Sequence, residues 1–321
     1  MELPPSLRHA VDQALEGVST AQLAAAAQAL SQRYRKEVRD GRMHLSDQLA
    51  AQAYIATRMP ATYAAICASL AAAAERAPDF SPATLLDIGA GPGTALWAAQ
   101  SVWPGLQSAT LVEASASIRA VGQKLAAASG LARIDWKDVD IRRGGIGDAA
   151  DIVTLAYVLD ELEPGERAKL VDALWSAARG VLVIVEPGTT AGWRRILDAR
   201  EQLVGAGANI LAPCPHAHAC PIVEPDWCHF SARVARSRIH RLAKGGDVPW
   251  EDEKFAYLVA SRMPAGATAS RVLAPPLTAK GRVELKLCKP DGAAENRLVT
   301  RREGDTFKHA RRVDWGDVFE G

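Results

Sequence analysis

The chain has 321 residues, 48% of them apolar and 23% charged, with a formal net charge of +1. That is the balance of a globular protein with one large domain or two smaller ones and a core that needs no staples. No apolar run reaches transmembrane length, and Met1-Glu-Leu-Pro-Pro-Ser lacks the basic-then-apolar pattern of a signal peptide, so a cytoplasmic protein with no membrane partner is expected. The charge is uneven: residues 1–188 carry 17 Lys/Arg against 21 Asp/Glu, and residues 189–321 carry 21 against 16, so an acidic partner is sought on the C-terminal part. Five cysteines in a reducing compartment suit ligand or core roles better than disulfides.

Residues 5–80 read as helices, rich in Ala: Ala21–Arg35 behind a Ser19-Thr20 cap, then Asp47–Arg58 and Thr62–Arg76, divided at Pro60. Arg33, Arg35, Lys36, Arg39 and Arg42 form a basic cluster that suits a solvated helix end or a nucleic-acid contact. Cys67, among Ala64, Ala65, Ile66 and Leu70, reads as a small core residue. From 84 to 186 strands alternate with helices, the pattern of a parallel, doubly wound sheet: strands at 84–88, 109–113, about 132–136, 151–156 and 181–185, with a helix through Ile118–Ala128.

The first strand runs into Asp87-Ile-Gly-Ala-Gly-Pro-Gly93, a glycine turn that opens a helix and lets a ligand approach the backbone. The spacing is G-x-G-x-G with Pro92 inside it, not the G-x-G-x-x-G of a dinucleotide fingerprint. Glu113 ends the second strand, where a carboxylate can accept from both hydroxyls of a ribose. The pattern resembles motif I of Rossmann-like S-adenosylmethionine (SAM) methyltransferases. A glycine turn in a nucleotide-free domain and a nicotinamide or flavin enzyme are the competing readings. The resemblance makes Asp87, Gly89, Ala90, Gly91, Gly93, Glu113, Asp138 and Tyr157 the expected cofactor-binding residues, Asp138 as a contact to the adenine amino group, in competition with Asp140 and with the alternative of a solvated loop acid. Tyr157, Asp160 and Glu186 stand on the methyl-donor side, but no Asn/Asp-Pro-Pro-Tyr tetrapeptide and no strand cysteine identifies a catalytic step.

Residues 213–230 place Cys214, Cys220 and Cys228 among Pro213, Pro215, Pro221 and Pro225. So many prolines forbid a helix or an inner strand, and a loop of this length in a compact domain is held by something other than secondary structure. Three thiolates on a metal would hold it, with His216, His218 and His229 as competing ligands; the C-x5-C-x7-C spacing fits no familiar zinc ribbon or finger. Cys288 follows the alternating strand Gly281–Leu287 on the face of Glu284 and Lys286, or in the next turn, and suits a fourth ligand. Between them, His229–Gly246 carries Arg233, Arg236, Arg238, Arg241 and Lys244 without an acid, a candidate phosphate-contacting element. Residues 262–312 are also basic, 12 Lys/Arg against 5 Asp/Glu.

The run Cys-Pro-His…Cys-Pro…Asp-Trp-Cys-His-Phe, then Glu-Asp-Glu-Lys-Phe-Ala-Tyr-Leu-Val, Lys-Gly-Arg-Val…Cys and the terminal Trp315-Gly-Asp317 resembles the methyltransferase-like family of mitochondrial small-ribosomal-subunit assembly proteins and their bacterial relatives, over roughly residues 84–317. The resemblance implies a SAM-type fold, a [4Fe-4S] cluster on Cys214, Cys220, Cys228 and Cys288 with zinc as the alternative, and association with small-subunit rRNA. An active SAM-dependent rRNA methyltransferase and a zinc-stapled small-molecule methyltransferase are the rival functions. The expected organisation is an α/β monomer with a helical region at 1–80, a Rossmann-like SAM-binding core at 81–206, a cysteine loop and basic segment at 207–246, and C-terminal strands at 247–321 completing the core and the metal site.

Overall fold

The computed structural model describes residues 1–35, 47–245, 247–266 and 269–321. Lys36, Arg39 and Arg42 of the N-terminal basic cluster lie outside the described residues. Four helices open the chain: α1 (Pro5–Ala14), α2 (Thr20–Arg35), α3 (Gln48–Thr57) and α4 (Met59–Arg76). Asp47 caps α3 by accepting from the Ala50 amide at 2.8 Å, and Pro60 sits in the first turn of α4, where its missing N–H costs nothing.

The alternating region follows as β1 (Thr84–Ile88), α5 (Thr94–Val102), β2 (Ser108–Val112), α6 (Ala116–Ala126), β3 (Arg133–Lys137), β4 (Ala150–Ala156), α7 (Pro164–Ala177), β5 (Ala178–Pro187) and α8 (Thr190–Gly205). Then come β6 (Asn209–Ala212), β7 (Phe230–Ala235), α9 (Arg238–Lys244) and β8 (Trp250–Ser261). The main sheet has the order β3-β2-β1-β4-β5-β8-β6, with β7 also paired to β8; β1 to β5 are parallel, and β8 runs antiparallel to β5, β6 and β7. That is the Rossmann-like SAM methyltransferase arrangement, in which an antiparallel strand inserts beside β5.

Strand residues alternate between two apolar cores because successive side chains leave opposite faces of a pleated strand. Val181, Val183 and Val185 of β5 join the core beneath α1 to α6, and Leu182 and Ile184 join the one beneath α7 and α8. Burial on both faces explains why these strands read in the sequence as unbroken apolar runs. α8 is held tightly to the end of β5: a Cβ on Gly192 would lie 2.0 Å from the Pro187 carbonyl oxygen, and Thr189 caps the helix through the Gly192 amide.

The rest of the chain builds a second sheet from β9 (Ser270–Val272), β10 (Leu277–Ala279), β11 (Arg282–Cys288), β12 (Ala294–Thr300) and β13 (Val318–Phe319), with α10 (Asp305–Ala310) beside it. Its inner face buries Val283, Leu285 and Leu287 against Val272, Val299, Phe307 and Phe319. Thus β8 enters the main sheet, whereas the later strands form a layer of their own. The cysteine loop runs from β6 to β7 and meets the outer face of β11, where Lys286 pairs with Asp226.

Candidate functional site

At the carboxyl end of β1 the chain turns through Gly89, Gly91 and Gly93, all left-handed (φ +67°, +54° and +80°), and Gly93 caps α5. The glycines do different work. A Cβ on Gly89 would lie 2.5 Å from Val158 Cγ2, so this position lets β1 and β4 close up. A Cβ on Gly91 would meet nothing within 4 Å, so here the backbone faces open space available to a ligand. Ala90 is buried, its amide bonded to the Val112 carbonyl at 3.0 Å.

Glu113 accepts from the Gly91 amide at 2.8 Å and the Ser115 amide at 2.7 Å, so it braces the loop. Burial raises its pKa, opposed by those two hydrogen bonds. Asp87 is buried and accepts from Thr154 Oγ1 at 2.7 Å; burial, opposed by Thr154 and reinforced by the charge of Glu113, pushes it up to about 7. The buried Asp87 and the half-buried Glu113 thus stand beside the open face of the glycine loop.

Asp138 and Asp140 stand apart from this pair. The Asp138 side chain is 69% exposed and ion-paired at 2.8 Å with Arg119, whose other nitrogen donates to the Glu113 carbonyl; Asp140 chelates its neighbour Arg142 at 2.9 and 2.7 Å. Arg119, on α6, links both expected cofactor acids, and the sequence marks it only by its place one helical turn after β2. Tyr157 takes φ +60°, a strained conformation for a residue with a side chain, and donates to Glu253 at 3.0 Å, with Arg58 at 3.7 Å from the same oxygen. Glu186 is fully buried between Arg195 Nε at 2.6 Å and the Leu159 amide at 3.1 Å.

On the far side of β8 the four expected cysteine ligands come together. Cys214, Cys220, Cys228 and Cys288 line one cavity with Arg200, Trp193, Tyr257 and Leu273. Cys288 lies within β11 on the face of Glu284 and Lys286, not in the turn that follows. Burial, reinforced by the other cysteines, pushes Cys288 up to about 12 and Cys228 well above the ordinary thiol value. Among the described residues no three His, Cys, Asp or Glu side chains are grouped closely enough for a single metal ion. His216 Nε2 is 3.3 Å from Cys288 Sγ, whereas His218 stacks on His216, and His229 stacks on Trp227 and meets Trp315 edge-on. Cys67 lies apart on α4, packed against the core.

The basic segment, which has no acid of its own, gains acidic partners from β8. Three of its five cations pair with acids of β8: Arg233 with Asp252, its neighbour across the ladder, at 2.8 Å, and Arg236 and Lys244 with Glu251, both at 2.8 Å. A count confined to 229–246 misses partners that folding brings from 251 and 252.

The family described as Mitochondrial small ribosomal subunit Rsm22 matches residues 48–320. The chain belongs to that family. It is 30% identical to the human protein named Ribosome assembly protein METTL17, mitochondrial, over 83% of this chain and 61% of that one. It is 27% identical to Rsm22-cox11 tandem protein 2, mitochondrial, of Schizosaccharomyces pombe, over 83% of this chain and 42% of that one. The chain thus spans roughly half the length of these relatives. Among solved structures it is similar to an O-methyltransferase family protein from Burkholderia thailandensis (13% identity, 77% of this chain and 72% of that one, TM-score 0.47). It is also similar to magnesium protoporphyrin IX methyltransferase (ChlM) from Synechocystis PCC 6803 with bound SAH (16% identity, 73% and 94%, TM-score 0.41). Both likenesses are at the level of the fold.

The cytoplasmic expectation is corrected by these Rsm22-family relatives, whose names are mitochondrial and point to the mitochondrion. Its basis was weak: cysteine usage fits any reducing compartment, and the missing secretory pattern speaks only to secretion. No helix among the described residues is long and apolar enough to cross a membrane.

Proposed function

We propose that this Rsm22-family chain is a small-ribosomal-subunit assembly factor that binds SAM at the glycine loop, carries a [4Fe-4S] cluster on its four cysteines, and contacts rRNA. The observation that carries the reading is the convergence of Cys214, Cys220, Cys228 and Cys288 on one cavity, from a proline-broken loop and a strand of the second sheet. The donor set suits a cluster: four thiols, three from the loop and one from β11, line one space. When bound, the group would cross-link loop and strand; the chain's part is to present the thiolates and exclude water.

For SAM, the open face at Gly91, the acid pair Asp87 and Glu113, and the cationic sulfonium and ammonium of the ligand are complementary. Tyr157 and Glu186 are both engaged with structural partners, which favours a binding pocket over methyl transfer.

The RNA surface of this proposal is the exposed end of the second sheet. Lys280, Arg282, Arg301 and Arg302 are exposed and make no ion pair among the described residues. The Arg301 amide bonds to the Gly281 carbonyl, and Arg282 faces Thr300 across the ladder, so the four cations share one corner. Binding of small-subunit RNA should weaken steeply with salt, and Lys280→Glu/Arg302→Glu should lower both the affinity and the salt slope, the slope by about 2. An unchanged slope in that double variant would contradict this assignment.

A further inference from the structure

Arg200 on α8 and Arg271 on β9 are each about 5% exposed, and neither has a carboxylate partner among the described residues. Arg200 lines the cysteine cavity, donates to the carbonyls of His216 at 2.8 Å and His218 at 2.7 Å, and keeps a buried, unpartnered Nε. Arg271 donates to the Pro213 carbonyl at 3.1 Å and the Gly316 carbonyl at 2.7 Å. Together they grip the loop on both sides of Cys214. A guanidinium withdrawn from water is strongly unfavourable unless an anion balances it. The groups lining this cavity that are able to become anions are the four cysteines and Tyr257, whose phenol burial pushes far above the ordinary range, which leaves the cysteines as the counter-anions.

We propose that Arg200, supported by Arg271, is the positioning residue and counter-cation of the cysteine centre. The inference rests on the reading of the cysteines as metal ligands. Four thiolates around a divalent group retain a net charge of about −2, and a buried guanidinium offsets it where water cannot. The same guanidinium fixes the His216 carbonyl and so the strand of loop that directs His216 Nε2 at Cys288 Sγ, 3.3 Å away. Arg200 therefore sets the loop geometry and the electrostatic potential of the centre at once.

The test uses the full chain purified without oxygen as wild type, Arg200→Lys, Arg200→Gln and Arg271→Gln. Three quantities are read: iron and sulfide per chain, the midpoint potential, and the rate of metal loss to a chelator. Arg200→Lys should keep the wild-type metal content and a midpoint close to wild type. Arg200→Gln should shift the midpoint to more negative values, because a nearby positive charge favours the reduced centre, and should lose metal about tenfold faster or more. Arg271→Gln should move both readouts in the same direction by less, and it carries the test if Arg200→Gln does not fold. Glutamine variants with wild-type midpoint and loss rate would overturn the proposal. Wild-type protein loaded with zinc would overturn only the iron assignment, and the loss rates would still decide for or against Arg200. Wild-type protein that holds no metal would overturn the ligand reading and this inference with it.

Discussion

At Glu113 both carboxylate oxygens are held by backbone amides, and each keeps a second lone pair for a ligand hydroxyl. Glu113→Ala should therefore lower SAM affinity about ten- to hundredfold by calorimetry, through the lost ribose acceptor and a loosened Gly91. Gly91→Ala separates ligand approach from folding: it should cost only about 1 kcal/mol for the left-handed conformation, yet weaken SAM binding more than Gly89→Val weakens it per unit of stability lost, because Gly89 abuts Val158. Equal SAM affinity in Gly91→Ala and wild type would move the ligand away from this turn. The pH dependence follows from Asp87. Its carboxyl titrates near 7 in the free protein, and the ionised form attracts the cationic ligand, so SAM affinity should rise with pH up to about 7 and level off above. Below that point it should fall by up to about tenfold per pH unit, with proton release on binding visible in buffers of different ionisation enthalpy. A flat profile from pH 5.5 to 8 would remove Asp87 from the site.

Among the elements, β7 and α9 are fastened to β8 through Glu251, which meets Arg236 and Lys244 at 2.8 Å and His240 at 3.3 Å. Burial pushes this carboxyl up, but the hydrogen bonds from His240, Lys244 and Arg236 outweigh it and hold it well below the ordinary 4.5. A carboxyl depressed on folding contributes its stability in full above its unfolded pKa and loses it as pH falls toward the folded value, so this contribution is complete above about pH 5 and erodes only in stronger acid. Glu251→Gln at pH 7 should cost about 3 kcal/mol and raise hydrogen exchange across 230–245. An unchanged melting temperature would show that Arg236, Lys244 and His240 do not depend on it. The strands β1, β2, β4 and β5 were legible in the sequence because double-faced burial leaves continuous apolar runs. The balance of the basic segment was not, because Glu251 and Asp252 reach it only through the β7–β8 ladder. Likewise Cys, Pro and spacing marked the loop, whereas nothing local distinguishes Arg200 and Arg271, which are buried, from arginines that remain in water.

Across the whole molecule, the glycine loop and the cysteine cavity belong to different parts of one scaffold: the first to the parallel strands, the second to the junction of β8, α8, the loop and the second sheet. Metal binding would join the two sheets through Cys288, and because ligation and folding are coupled, its loss should loosen residues 213–229 far more than the glycine loop. The measurement that bears most directly on this account is iron and sulfide content with the visible spectrum of anaerobically purified protein, for wild type and for Cys→Ser at 214, 220, 228, 288 and 67. The account predicts brown wild-type and Cys67→Ser protein with about four irons per chain, and loss of the centre in each of the other four variants. Colourless wild-type protein without iron, or a Cys288→Ser variant that keeps its full metal content, would contradict it.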